Sequence, residues 1–220
     1  MVDMDASFTI PLWLDLIAVG VGAVQGAMFA SGYRNAELDL LGVAIVGIAS
    51  GFGGGIVRDL LLSRELAALQ SDWYIVVATA ASLVGMLIAH RLQRVEGVIT
   101  ALDALTIGAF GAIGTTTALS KGLPWVPAIF IGVASAVGGS IMRDVLLHLP
   151  IQLMHVGSLY AVAAAAGGAS IVALIELGVD VSLSGIVGVT VTTVIRMLSV
   201  LLGWKLPAQT QLRRGILKNR

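Results

Sequence analysis

The sequence predicts an all-α integral membrane protein. Seven transmembrane helices form a 3+3 inverted-topology repeat plus one extra helix, with the second and fifth helices broken by glycine. Three observations predict this. Hydrophobic residues make up 57% of the 220 residues and charged residues only 12%, where a soluble domain carries about 25% charged. Long apolar runs recur between the charges. One ten-residue motif occurs twice, at 53–62 and 138–147.

The charges mark the helices in order. Asp15 and Arg34 bound a run at 16–33, and Asp39 and Arg58 bound 40–57. The next runs are 73–89, 104–120, 122–142 and 156–175, and the last, 181–204, is interrupted only by Arg196. Each is near the ~20 residues that cross a ~30 Å hydrocarbon core. The runs are continuous rather than alternating and too long for membrane strands. Residues 1–15 hold Asp3, Asp5 and Asp15 but no basic residue, so a cleaved signal peptide is not expected and the first helix is retained. The whole chain reads as a single membrane domain: repeat one at about 11–90, repeat two at about 97–178, a seventh helix at about 181–204 and a basic tail at 205–220. Trp73, Tyr74, Trp125 and Trp204 lie at span ends, where interfacial anchors sit.

Lys and Arg placement sets the orientation. Arg34, Arg91, Arg94, Arg143, Lys205, Arg213, Arg214, Lys218 and Arg220 fall on the side of the C-terminus, against Arg58, Arg64 and Lys121 on the other. The N-terminus is expected outside and the C-terminus in the cytoplasm.

Several functions are excluded by composition. There are no cysteines and the formal net charge is zero. Disulfides, thiolate metal sites and cysteine nucleophiles are therefore absent, and no electrostatic appetite for nucleic acid exists. His90, His148 and His155 lack the spacing of metal ligands. No phosphate-binding loop or enzymatic constellation is visible. The chain is expected to be no enzyme and to hold no cofactor.

The duplicated motif carries the functional signal. Residues 53–62 read Gly-Gly-Gly-Ile-Val-Arg-Asp-Leu-Leu-Leu, and 138–147 read Gly-Gly-Ser-Ile-Met-Arg-Asp-Val-Leu-Leu. Upstream, Asp15, Gly20 and Gly26 are in register with Asp103, Gly108 and Gly114. Three helices per unit is an odd number, so the second unit enters the membrane from the opposite side. In such folds the substrate site lies near the midplane, between interrupted helices of the two halves. Gly53, Gly54 and Gly55 in one half, and Gly138, Gly139 and Ser140 in the other, are the expected interruptions. Each glycine costs about 1 kcal/mol in a helix interior relative to alanine. A cluster lets the helix bend or open and frees carbonyls for a partly dehydrated cation. Close helix packing is the competing role of such glycines.

Ser50 and Ser135 precede the two clusters at matching positions, so their hydroxyls are candidates for lining a polar path. Bonding to their own helix backbone is the alternative. Arg58, Asp59, Arg143 and Asp144 lie about one turn beyond the glycines and are assigned to pathway electrostatics or gating. Adjacent residues on a helix do not face one another. Arg58 and Asp59 are therefore not expected to pair; crossed pairing between halves, or arginine to freed carbonyls, is expected instead. Asp15 and Asp103 read as helix-start acids, favoured by the dipole or placed to concentrate cations at the two mouths. For Arg196, snorkelling, pairing with an acid and binding a lipid headgroup all fit.

Two copies of Gly-Gly-x-x-x-Arg-Asp-x-Leu-Leu, with Asp15 and Asp103 in register, resemble the prokaryotic branch of the trimeric intracellular cation (TRIC) channel family. Sequences of this kind are also labelled bacterial glycine-transporter-like membrane proteins. The resemblance covers about 10–205. It implies a homotrimer in the lipid bilayer with one ion pathway per protomer, lined mainly by the first, second, fourth and fifth helices. It implies passive passage of potassium, and less selectively sodium, with no bound metal beyond the permeating potassium. Secondary transport of glycine or a similar small zwitterion is the alternative. The sequence shows no acid deep inside a span, which favours the channel.

Overall fold

The computed structural model describes residues 10–33, 38–91, 96–154 and 159–204. Seven α-helices follow one another: α1 (Leu12–Gly32), α2 (Leu40–Leu61), α3 (Asp72–Arg91), α4 (Glu96–Ser120), α5 (Trp125–Leu146), α6 (Tyr160–Glu176) and α7 (Val181–Leu201). Short 3-10 turns at Ala67–Leu69 and Gln152–Met154 follow α2 and α5, and no strand occurs among the described residues. Six helices are long and apolar enough to cross a membrane. The seventh, α6, has 17 residues and spans about 26 Å, at the short end of the crossing range. The all-helical, seven-helix expectation therefore holds. The basic tail at 205–220, Arg34, Arg94 and His155 lie outside the described residues.

Local chemistry explains the helix boundaries. Asp39 caps α2 by accepting from Gly42 N at 2.7 Å, and Asp180 caps α7 by accepting from Ser182 N and Leu183 N. These carboxylates satisfy amide donors that a helix start leaves unpaired. Pro11 and Pro124 precede α1 and α5, where a fixed φ and a missing N–H cost nothing. The turns after α4 and α6 use Gly122 at φ +77 and Gly178 at φ +81, a left-handed conformation open to glycine without strain.

The two halves build matching helix ends. Beyond α2 and α5, Ser63 and His148 both take positive φ. The chain then folds back, with Arg64 N donating to Asp59 O and Leu149 N to Asp144 O, each at 2.8 Å. This is a helix-terminating turn that satisfies carbonyls of the last helical turn.

At the centre α2 packs on α5, with α1 against α2 and α3 on one flank. On the other flank α4 packs on α5, and α7 packs on both α4 and α6. Large apolar side chains such as Trp13, Trp73, Trp125 and Phe130 stay exposed on the outside, where lipid is their solvent. Alanine is the most frequent residue of the buried hydrophobic core, as expected where helices associate by close packing without a hydrophobic drive between them.

The expected breaks in the second and fifth helices need correction. The α-helix runs without interruption through Gly53, Gly54 and Gly55 in α2, and through Gly138, Gly139 and Ser140 in α5. The glycines serve contact instead. A Cβ on Gly53 would lie 2.6 Å from Gly139 Cα, and one on Gly138 would lie 2.6 Å from Gly53 O. The two backbones touch at their crossing, and the packing gained there outweighs the low helix propensity of glycine.

Candidate functional site: a polar stripe between two ion clusters

On α2, Ser50, Gly54 and Arg58 follow one another at intervals of four. On α5, Ser135, Gly139 and Arg143 do the same. That spacing puts each trio on one helix face. Ser50, Gly54, Ser135 and Gly139 are all buried. The Ser50 carbonyl lies against Gly139 and the Ser135 carbonyl against Gly54 where α2 meets α5. The Ser50 side chain lies against Gly26 of α1, and the Ser135 Cβ near Gly114 of α4. Ser135 Oγ donates to Gly54 O at 3.0 Å, linking the halves. Ser50 Oγ is buried and has no hydrogen-bond partner among the described residues. Gly55 and Ser140 stand apart from this contact. A Cβ on Gly55 would meet only Arg58 Nη2, at 3.8 Å, and Ser140 Oγ bonds its own helix at Val137 O.

Each stripe ends in a buried ion cluster. In the first, Arg58 forks onto Asp15, with Nη1 to Oδ1 at 3.1 Å and Nη2 to Oδ2 at 3.3 Å. Tyr74 OH donates to Asp15 Oδ2 at 2.8 Å. Arg58 Nε donates to Asp59 Oδ1 at 2.8 Å, and Asp59 Oδ2 accepts from Ala67 N at 2.9 Å. In the second, Arg143 Nη2 donates to Asp144 Oδ1 at 2.8 Å, and Asp144 Oδ2 accepts from Gln152 N at 3.0 Å. Arg143 Nη1 lies 3.8 Å from Asp103 Oδ1, while Arg196 Nη2 donates to Asp103 Oδ2 at 3.3 Å. Gln25 Nε2 reaches Asp103 Oδ1 at 3.5 Å. Two arginines stack on rings: Arg143 on Phe29, and Arg196 on Tyr160.

The expectation that Arg58 and Asp59 avoid each other fails, as does its counterpart at Arg143 and Asp144. Both pairs sit in a terminal helical turn. There the long arginine side chain reaches its neighbour's carboxylate, which is held in place by the loop amide beyond the helix, Ala67 N for Asp59 and Gln152 N for Asp144. Crossed pairing fails as well, since Asp15 binds the arginine of its own half and Asp103 that of α7. Asp103 is not a helix-start residue either. Its helix begins at Glu96, which sets an acid well inside a span. It survives there because Arg196 and Arg143 lie within ion-pair distance, the condition for a buried membrane carboxylate.

Sequence reasoning missed Tyr74, Tyr160, Gln25 and Phe29. Tyr74, read as an interfacial anchor, is 6% exposed and bonded to Asp15. Tyr74 and Tyr160 occupy nearly equivalent repeat positions, a signal that could have found them.

A family model described as "Glycine transporter" matches residues 12–90 and again 100–176, once on each half. The chain belongs to this family. A UPF0126 membrane protein of Deinococcus radiodurans is 34% identical over 161 residues, covering 72% of this chain and 74% of its own length. The UPF0126 inner membrane protein YadS of Escherichia coli K12 is 29% identical over 198 residues, covering 89% and 94%. The structure of the TRIC trimeric intracellular cation channel orthologue from Rhodobacter sphaeroides matches with a TM-score of 0.80 at 30% identity, over 88% of this chain and 98% of that one. The fold is that of the TRIC channels, and the chain is a multi-pass membrane protein of the TRIC family. Within this TRIC-family chain, each copy of the Arg-Asp motif stands at the end of its own Ser-Gly-Arg stripe.

Proposed function

We propose that this TRIC-family protein is a passive monovalent-cation channel, permeable to potassium, with one pathway inside each protomer of a homotrimer. The observation that carries the reading is the pair of Ser-Gly-Arg stripes, whose serine and glycine backbones meet where α2 crosses α5 and which end in two separate buried ion clusters. The name of the Rhodobacter sphaeroides neighbour supports cation passage and a trimer. The basic excess on the C-terminal side supports an outside N-terminus and a cytoplasmic tail in a prokaryotic plasma membrane.

The structure described here is the closed arrangement in this mechanism. Backbone contact between Gly53 and Gly139 leaves no room for an ion. Conduction requires α2 and α5 to separate at their crossing. The hydroxyls of Ser50 and Ser135 and the carbonyls beside them then stand in for part of an ion's hydration shell. Ser50 Oγ, buried without a partner, is available for this without breaking a protein hydrogen bond. Arg58, Asp59, Arg143, Asp144, Asp15 and Asp103 set the field at the two mouths.

The family-model description favours a second reading, transport of glycine or a similar zwitterion. That reading needs a carboxylate free to hold the ammonium group. Asp15, Asp59, Asp103 and Asp144 all lie in ion pairs with arginine. We therefore place the channel first. In proteoliposomes loaded with KCl, potassium should leave down its gradient without added glycine, and Ser50→Ala should slow that efflux about tenfold, the scale of one lost polar contact to an ion. Unchanged efflux in Ser50→Ala would remove the stripe from the pathway.

A further inference from the structure

The same Arg-Asp motif produces two different clusters. Arg58 grips Asp15 through a fork of 3.1 and 3.3 Å. Its counterpart Arg143 stays 3.8 Å from Asp103. Its guanidinium carbon lies instead 4.1 Å from the centroid of the Phe29 ring.

The seventh helix explains the difference. In the first half α1 packs directly on α3, whereas α7 packs on both α4 and α6 in the second. From α7, Arg196 donates to Asp103 Oδ2 at 3.3 Å and lies over Tyr160 at 3.8 Å. A carboxylate accepts one guanidinium fork squarely. With Oδ2 held by the Arg196 guanidinium and Oδ1 approached by Gln25, a fork from Arg143 would crowd a second cation onto the same carboxylate. In the first half, Oδ2 of Asp15 is shared between Arg58 and the neutral Tyr74 hydroxyl. Arg196 is itself only partly satisfied, since its Nε and Nη1 are buried without a hydrogen-bond partner among the described residues. The first cluster thus sets one arginine against Asp15 and Asp59. The second sets two arginines against Asp103 and Asp144.

We propose that Arg196 competes with Arg143 for Asp103 and thereby makes the second cluster the end that opens, while the first stays latched. This rests on the channel reading. An acid contested by two cations has two arrangements of similar energy, and packed sites of that kind switch rather than deform. Arg196 is a positioning residue. It sets how readily Arg143 leaves the pathway and does not itself meet the ion.

The test is Arg196→Met in the full-length protein. With the competitor gone, Arg143 should close on Asp103 as Arg58 closes on Asp15. The structure of the variant should show a forked pair within about 3.3 Å, the range of charge-assisted contacts. In planar bilayers its open probability should fall about tenfold, the population change set by one charge-assisted hydrogen bond, at unchanged unitary conductance. Arg196→Lys keeps the positive charge on Asp103 and should gate within about twofold of the parent. An Arg143–Asp103 pair that stays apart in Arg196→Met would overturn the proposal. So would an open probability that rises or holds steady, or an Arg196→Lys variant as closed as Arg196→Met. A silent parent protein would instead defeat the channel reading, and the Arg143–Asp103 distance would then decide the competition alone.

Discussion

Arg58→Met should destabilise the detergent-solubilised protein by about 3–5 kcal/mol, the cost of removing one partner from a buried ion pair. Arg58 is 2% exposed and carries four of the hydrogen bonds of its cluster. Among the described residues, its loss leaves Asp15 with the Tyr74 hydroxyl alone and Asp59 with the Ala67 amide alone. Unfolding in mixed SDS micelles measures the loss. Asp15→Asn in the Arg58→Met background should recover part of it, because the stranded charge is then removed. Arg143→Met should cost less than Arg58→Met, since Asp103 keeps its contact with Arg196. Equal losses at the two arginines would mean that the clusters are energetically alike, contrary to their geometry.

The second large effect lies at the helix crossing. Gly53→Ala should cost about 3 kcal/mol, at the upper end of overpacking penalties. The added Cβ would sit 2.6 Å from Gly139 Cα and 2.7 Å from Gly138 O. Both are backbone atoms, so no rotamer change can relieve the clash. Gly55→Ala, two residues along the same helix, is the contrast. Its Cβ would meet only Arg58 Nη2 at 3.8 Å. The substitution should be neutral or stabilising by up to about 1 kcal/mol through helix propensity. A yield of folded, monodisperse protein and the SDS midpoint separate the two outcomes. A well-folded Gly53→Ala would show that α2 and α5 are held apart at this point.

Which features were legible in the sequence follows from how each leaves a trace. Helix number was legible because an unpaired charge cannot sit in hydrocarbon, so gaps between charges mark spans. The same rule misplaced the start of α4. Asp103 is paired inside the membrane and marks no boundary, and the helix begins at Glu96. The repeat was legible from Arg58-Asp59 and Arg143-Asp144 because both copies perform the same local task. Each aspartate ties the loop after its helix, at Ala67 N and Gln152 N. The contrast between broken and close-packed glycines was not legible, since both uses demand the same small residue. Only the partner backbone decides, and Gly53 and Gly139 face each other. Tyr74 was misread because an aromatic at a span end looks the same whether it faces lipid or turns inward. Asp15 turns it inward.

The central claim is that this protein conducts monovalent cations passively. Its most direct test is current across a planar bilayer holding the purified protein, with KCl on one side and NaCl on the other. Discrete openings are expected, with a reversal potential displaced toward the potassium equilibrium value. A silent bilayer, with saturable glycine uptake in matched proteoliposomes, would contradict it and make the α2–α5 crossing a transporter site.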